Sequence, residues 1–114
     1  MLRVLVVDDD LAILEMVSTA LRQADMRPVL ASSGDAARTA FADDGPFDAV
    51  LIDRSLRKED GRQLADDLVR HGQPETRVLL MSGYHDDATA YVSVPKPFRL
   101  DTLVSALRNA GAGA

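Results

Sequence analysis

The sequence predicts a doubly wound α/β domain built on a five-stranded parallel sheet, and three observations carry that prediction. Short apolar runs such as Ala49–Ile52 within Phe47–Ile52, and Val4–Val7 within Leu2–Val7, are too brief for stable helices. They are apolar in succession rather than alternating, which suits strands covered on both faces. Between them lie longer segments whose apolar residues recur at helical spacing, and regular alternation of the two kinds implies a parallel sheet with right-handed crossovers. The chain is also the right size: 114 residues with 46% hydrophobic content make one ordinary globular core.

In order, Leu2–Val7 reads as a buried strand that runs into the acids Asp8, Asp9 and Asp10. Leu11 to about Ala24 reads as an amphipathic helix with Leu14, Val17, Ala20 and Leu21 along one stripe, and Asp9 or Asp10 suits its N-cap. Arg27–Ala31 is a short strand, Ser32 to Asp35 a loop and cap, and Ala36–Ala42 a second helix. Gly45-Pro46 punctuates the turn into the central strand, Phe47–Ile52, which delivers Asp53 to the strand's carboxyl edge. Asp60 to about Arg70 is a third helix, with Leu64 and Leu68 inward, broken by Gly72-Gln73-Pro74. Arg77–Met81 and Tyr91–Val94 are the last strands, the second stopped by Pro95. Arg99 to about Ala110 closes the domain as a helix, so residues 1–110 form the domain and 111–114 a flexible tail or linker start.

Composition excludes several functions. Eighteen acids against thirteen basic residues give a net charge of −5 and a pI near 4.8, which argues against this domain gripping nucleic acid or an anionic membrane. The absence of Cys removes disulfides, thiol catalysis and zinc–thiolate sites. No stretch has the roughly 20 apolar residues of a spanning helix, and the N-terminus carries no signal-peptide pattern, so a cytoplasmic location is expected.

Function is concentrated at the strand ends. Asp8-Asp9 follow the first strand, Asp53 the third, Ser82 the fourth and Lys96 the fifth. Open α/β sheets bind ligands at the carboxyl edge of their strands. Hard cations such as Mg²⁺ take oxygen ligands, and a carboxylate accepts an anionic group only where charge repulsion is cancelled. Lys96 is one of only two lysines among thirteen basic residues, which points to a site that wants a compact ammonium.

The runs VLVVDDD, VLID at Asp53, DG at Asp60-Gly61, LLMSG at Ser82-Gly83 and KPF at Lys96–Phe98, in this order, resemble a bacterial response-regulator receiver (CheY-like) domain over essentially the whole chain. The resemblance implies a flavodoxin-like sheet in the order 2-1-3-4-5. It implies that Asp53 accepts a phosphoryl group from a histidine kinase or histidine phosphotransfer protein. It further implies that Asp8, Asp9, Asp53 and the Ser55 backbone carbonyl serve Mg²⁺, that Ser82 hydrogen-bonds the phosphoryl group, and that Lys96 pairs with it. No small-molecule substrate beyond phosphodonors is implied, nor turnover in the enzymatic sense; a downstream protein target or output domain reads the signal.

Two departures stand out. A typical receiver has Pro four positions after the phosphoacceptor, where Arg57 stands here, inside a highly charged run, Arg54–Asp60, expected to be more mobile. Ser82 and Lys96 are only 14 positions apart, so the helix between the fourth and fifth strands is expected to be missing or reduced to a turn or loop. The aromatic switch position is Ser93, with Tyr91 two residues earlier as a candidate substitute. Alternatives are a receiver-like interaction module that works without phosphorylation, and a hydrolase with an Asp nucleophile in the Asp8-x-Asp10 motif, disfavoured by the lack of a cap insertion. Read one at a time, Asp8–Asp10 fit a helix cap, Ser82-Gly83 a turn and Lys96 a solvated charge.

Overall fold

In the computed structural model, which describes residues 1–70, 76–82, 91–95 and 99–112, the chain alternates strand and helix: β1 Arg3–Val7, α1 Leu11–Gln23, β2 Arg27–Ala31, α2 Gly34–Asp44, β3 Ala49–Asp53, α3 Gly61–Arg70, β4 Arg77–Ser82, β5 Val92–Pro95 and α4 Leu100–Ala112. The strands pair in parallel in the order β2-β1-β3-β4-β5. The domain is an α/β parallel sheet of the flavodoxin-like kind.

The apolar runs are continuous because each strand feeds two cores. Side chains alternate across a strand, and the sheet sorts them accordingly. Val4, Val6, Ala49, Leu51, Leu79 and Met81 face one cluster with Leu14, Val17 and Leu21 of α1 and Leu103 and Leu107 of α4. Leu5, Val7, Val50, Ile52, Val78 and Leu80 face the other, with Ala37 and Phe41 of α2 and Leu64, Ala65 and Leu68 of α3. Continuing the count past the strand ends puts Asp8 in step with Val4 and Val6, and Asp53 in step with Ala49 and Leu51. Both acids therefore rise from the α1/α4 face.

Helix starts follow capping chemistry. Of the two acids suited to cap α1, Asp10 does so, its Oδ1 accepting from the N–H groups of Ala12 and Ile13 at 3.0 and 3.4 Å. Ser33 Oγ accepts from Ala36 N–H at 3.1 Å, which starts α2 two residues earlier than the periodicity predicts. On α1 the buried stripe includes Ser18, with Ala20 only half-buried. β3 begins at Ala49 rather than Phe47, and Asp53 is its last residue, paired with Met81. Tyr91 stands just before β5. α4 continues through Ala112, so the first two residues of the expected tail are helical.

Nine residues, 83–91, connect β4 to its parallel neighbour β5. The expectation of a missing or reduced helix there falls on residues 83–90, outside the described residues.

Candidate phosphoacceptor site

The β1–α1 and β3–α3 loops meet above the carboxyl edge of the sheet. Asp8, directly after β1, is fully buried; its N–H donates to Ala31 O of β2 at 3.2 Å, and its Oδ1 accepts from Asp10 N–H at 2.9 Å. That second bond folds the acidic run back on itself and sends Asp10 to its cap. Asp53 is 6% exposed, and its Oδ1 accepts from Ser55 N–H at 3.0 Å, which turns the chain immediately after the strand. Asp9 is half-buried in the β1–α1 loop. One carboxylate oxygen from each of Asp8, Asp9 and Asp53 lies within 4.8 Å of the others. Neighbouring strands bring Asp8 and Asp9 together with Asp53, more than 40 positions away in the chain.

The β3–α3 loop is held tightly. Arg54 N–H donates to Met81 O at 2.9 Å, Ser55 and Asp60 form an antiparallel bridge, and Gly61 N–H donates to Arg54 O at 2.8 Å. A β-carbon on Gly61 would lie 2.2 Å from Asp53 O and 2.7 Å from Arg54 Cα. Both are backbone atoms, so only glycine lets α3 begin this close to the end of β3. This is the physical content of the Asp60-Gly61 pair.

Several charges of the Arg54–Asp60 run find partners, two of them on other elements. Glu59 accepts two hydrogen bonds from Arg38 of α2, Nη1 to Oε1 at 3.0 Å and Nη2 to Oε2 at 2.8 Å. Arg38 Nη2 also donates to Asp67 Oδ2 of α3 at 2.8 Å. The hydrogen bonds to Glu59, then to Asp67, push the Arg38 pKa above its ordinary value, so the guanidinium stays charged. Gly34 makes room for this clamp, since a β-carbon there would overlap Glu59 Oε1. Arg57, at the crown of the loop, reaches back to Asp9: its N–H donates to Asp9 Oδ2 at 2.9 Å and its Nε lies 3.6 Å from the same oxygen. The Arg38 clamp has no signature in the sequence. Its partners are 21 and 29 positions away, and nothing in the local pattern marks them.

Of the remaining expected site residues, Ser82 ends β4, where it pairs with Pro95 at the end of β5, on the same sheet edge as Asp53. Lys96 directly follows β5 in sequence and lies outside the described residues, as do Tyr84, His71 and His85. Tyr91 packs against the α2/α3 cluster, and its hydroxyl donates to Asp66 Oδ1 of α3. Burial, followed by that hydrogen bond, pushes its pKa up to about 12.

The donor set suits a hard divalent cation. Magnesium holds oxygens at about 2.1 Å in an octahedron, so two of its ligands stand at most about 4.2 Å apart. Three carboxylates within 4.8 Å come close to that span, and ligation through water accommodates the remainder.

Comparison with known proteins agrees with this geometry. The sequence profile of the response regulator receiver domain matches residues 4–108. The chain belongs to that family. The receiver is 34% identical to the regulatory protein AtoC of Escherichia coli over 109 residues, which cover 89% of this chain and 23% of that protein. It is 30% identical to the transcriptional regulatory protein CutR of Streptomyces coelicolor, over 96% of this chain and 54% of CutR. The chain thus spans a quarter to a half of these curated relatives. Among solved structures, TrrA of Thermotoga maritima in complex with Mg²⁺–BeF superposes with a TM-score of 0.85 at 25% identity, covering 96% of this chain and 99% of that one. Receivers of this family act in two-component signal transduction, and magnesium and aspartyl phosphate are typical of them. Among the described residues, no helix is long and apolar enough to cross a membrane.

Proposed function

We propose that this receiver accepts a phosphoryl group on Asp53 from the phosphohistidine of a histidine kinase or phosphotransfer protein, and signals through protein contacts. The observation that carries the reading is the convergence of Asp8, Asp9 and Asp53 within 4.8 Å at the sheet edge. In the transfer an Asp53 oxygen forms a P–O bond as the P–N bond to the donor imidazole breaks, and the imidazole nitrogen then takes up a proton. Phosphoryl transfer asks for positioning and charge neutralisation more than covalent machinery. The Ser55 N–H, donating to Asp53 Oδ1, orients that carboxylate for attack.

Asp8, Asp9, Asp53 and the Ser55 carbonyl are the residues that would hold Mg²⁺. When bound, that ion neutralises charge between Asp53 and the incoming phosphoryl oxygens. Ser82, at the end of β4, and Lys96, immediately after β5, supply a hydroxyl and an ammonium to the same oxygens. The domain extends through the end of α4 at Ala112, works in the cytoplasm, and contacts neither nucleic acid nor membrane. The nine-residue β4–β5 connection is shorter than the dozen or more residues usual between parallel neighbours, which supports a crossover without a full helix. An output that relies on that helix is then rebuilt on other surfaces, whether in a downstream protein or an attached domain.

The test is intact-protein mass after brief exposure to acetyl phosphate, with and without Mg²⁺. One phosphoryl group is expected on the wild type with Mg²⁺ present, and none on Asp53→Asn or without the metal. An unmodified wild-type protein would instead favour an interaction module that works without phosphorylation.

A further inference from the structure

Arg57 replaces the proline common at this position, and the structure gives the exchange a specific consequence. Proline has no N–H, so the 2.9 Å bond from the backbone of residue 57 to Asp9 Oδ2 is one that proline cannot make. The guanidinium adds a positive charge 3.6 Å from the same oxygen. Asp9, one of the three clustered acids, is therefore already partnered by a cation. The two halves of the contact differ in permanence. The backbone bond is fixed by a loop whose far end is clamped by Arg38 on Glu59. The Arg57 side chain is 85% exposed, and an ion pair that exposed is easily broken. It also borders a cavity of about 590 Å³ lined by Asp9, Ser33, Asp35, Lys58 and Glu59, which gives it somewhere to go.

We propose that Arg57 is a built-in competitor for the metal: its guanidinium neutralises Asp9 in the resting receiver and opposes Mg²⁺ there. The inference rests on the Mg²⁺-dependent reading of the site. Its direction follows from charge. A dication and a guanidinium sharing one carboxylate repel each other, so Arg57 weakens Mg²⁺ binding while the N–H keeps Asp9 aimed. At a separation of about 6 Å in a water-like dielectric, partly screened by salt, the repulsion amounts to about three- to tenfold in Kd. The receiver is thereby tuned to answer changes in Mg²⁺ at higher concentration than its acids alone would set.

Calorimetric titration of Mg²⁺ into the unphosphorylated protein tests this without any activity readout. Arg57→Gln keeps the N–H and removes the charge, and is expected to lower Kd by about three- to tenfold. Arg57→Lys keeps a cation and is expected to stay within about twofold of the wild type. Melting curves taken alongside ensure that folded proteins are compared. Equal or weaker binding by Arg57→Gln, with the wild type binding normally, overturns the competition and leaves the Mg²⁺ site standing. No binding by any of the three overturns both.

Discussion

Two arginines grip the loop that follows Asp53, and they do so in opposite ways. Arg38 reaches from α2 with both guanidinium arms on Glu59 and a further bond to Asp67, its side chain about one-third exposed. Arg57 reaches from the loop itself to the single carboxylate of Asp9, its side chain almost fully in water. The chemistry is the same, but burial and the number of bonds are not. A bidentate fork between partly buried groups fixes geometry, whereas a single exposed pair contributes little and yields easily. The first belongs to the scaffold and the second to whatever occupies the site.

The largest effect that would break this contrast is Arg38→Met. It removes the cation shared by two partly buried carboxylates, Glu59 and Asp67, and is expected to cost about 1–3 kcal/mol, read as a clear drop in the urea midpoint. A loss below about 0.5 kcal/mol would put Arg38 in the same class as Arg57. Tyr91 offers an intermediate case, a partly buried hydroxyl tied to Asp66 on α3. Its pKa is raised from 10.0 to about 12 in the folded state, so the unfolded chain loses that proton first. The contribution is whole below pH 10 and declines as pH rises through 10 to 12. Denaturant titrations should therefore show stability falling more steeply across that window in the wild type than in Tyr91→Phe. The phenolate absorbance of one of the two tyrosines should appear late in an alkaline titration. The smallest effect is Arg57→Gln on stability alone, expected within about 0.5 kcal/mol of wild type by the same urea midpoint. Its consequence belongs in the Mg²⁺ titration.

The parts of this molecule that were legible in the sequence are those governed by local rules. A continuous apolar run ending on an acid locates β1 with Asp8 and β3 with Asp53, because buried parallel strands deliver their last residue to one edge. Counting by twos from Val4 and Ala49 even gives the face from which both acids rise. Helix starts were less visible. Ser33 opens α2 ahead of its first apolar residue, because a cap is a hydrogen bond rather than a pattern. The clamp of Arg38 on Glu59 and the bond of Arg57 to Asp9 were not legible at all. Residues 54–60 show Ser55, Arg57 and the Asp60-Gly61 pair in the sequence but not where their charges go, since a charge leaves no periodic trace of the partner it will meet 21 or 48 positions away.

The strand order has a consequence in time. β1 is made before the other strands of its sheet, yet it lies inside that sheet, and its partner β3 begins only at Ala49. Arg3 N–H waits for Asp48 Oδ2 across 45 positions. Contacts at that separation form late, because the loop between them must close first. Asp8 and Asp9 therefore spend the early life of the nascent chain without Asp53 beside them. The cation site does not exist until the centre of the sheet has been laid down. A cation that needs all three acids would have nothing to template: it would stabilise the finished fold rather than guide the chain toward it.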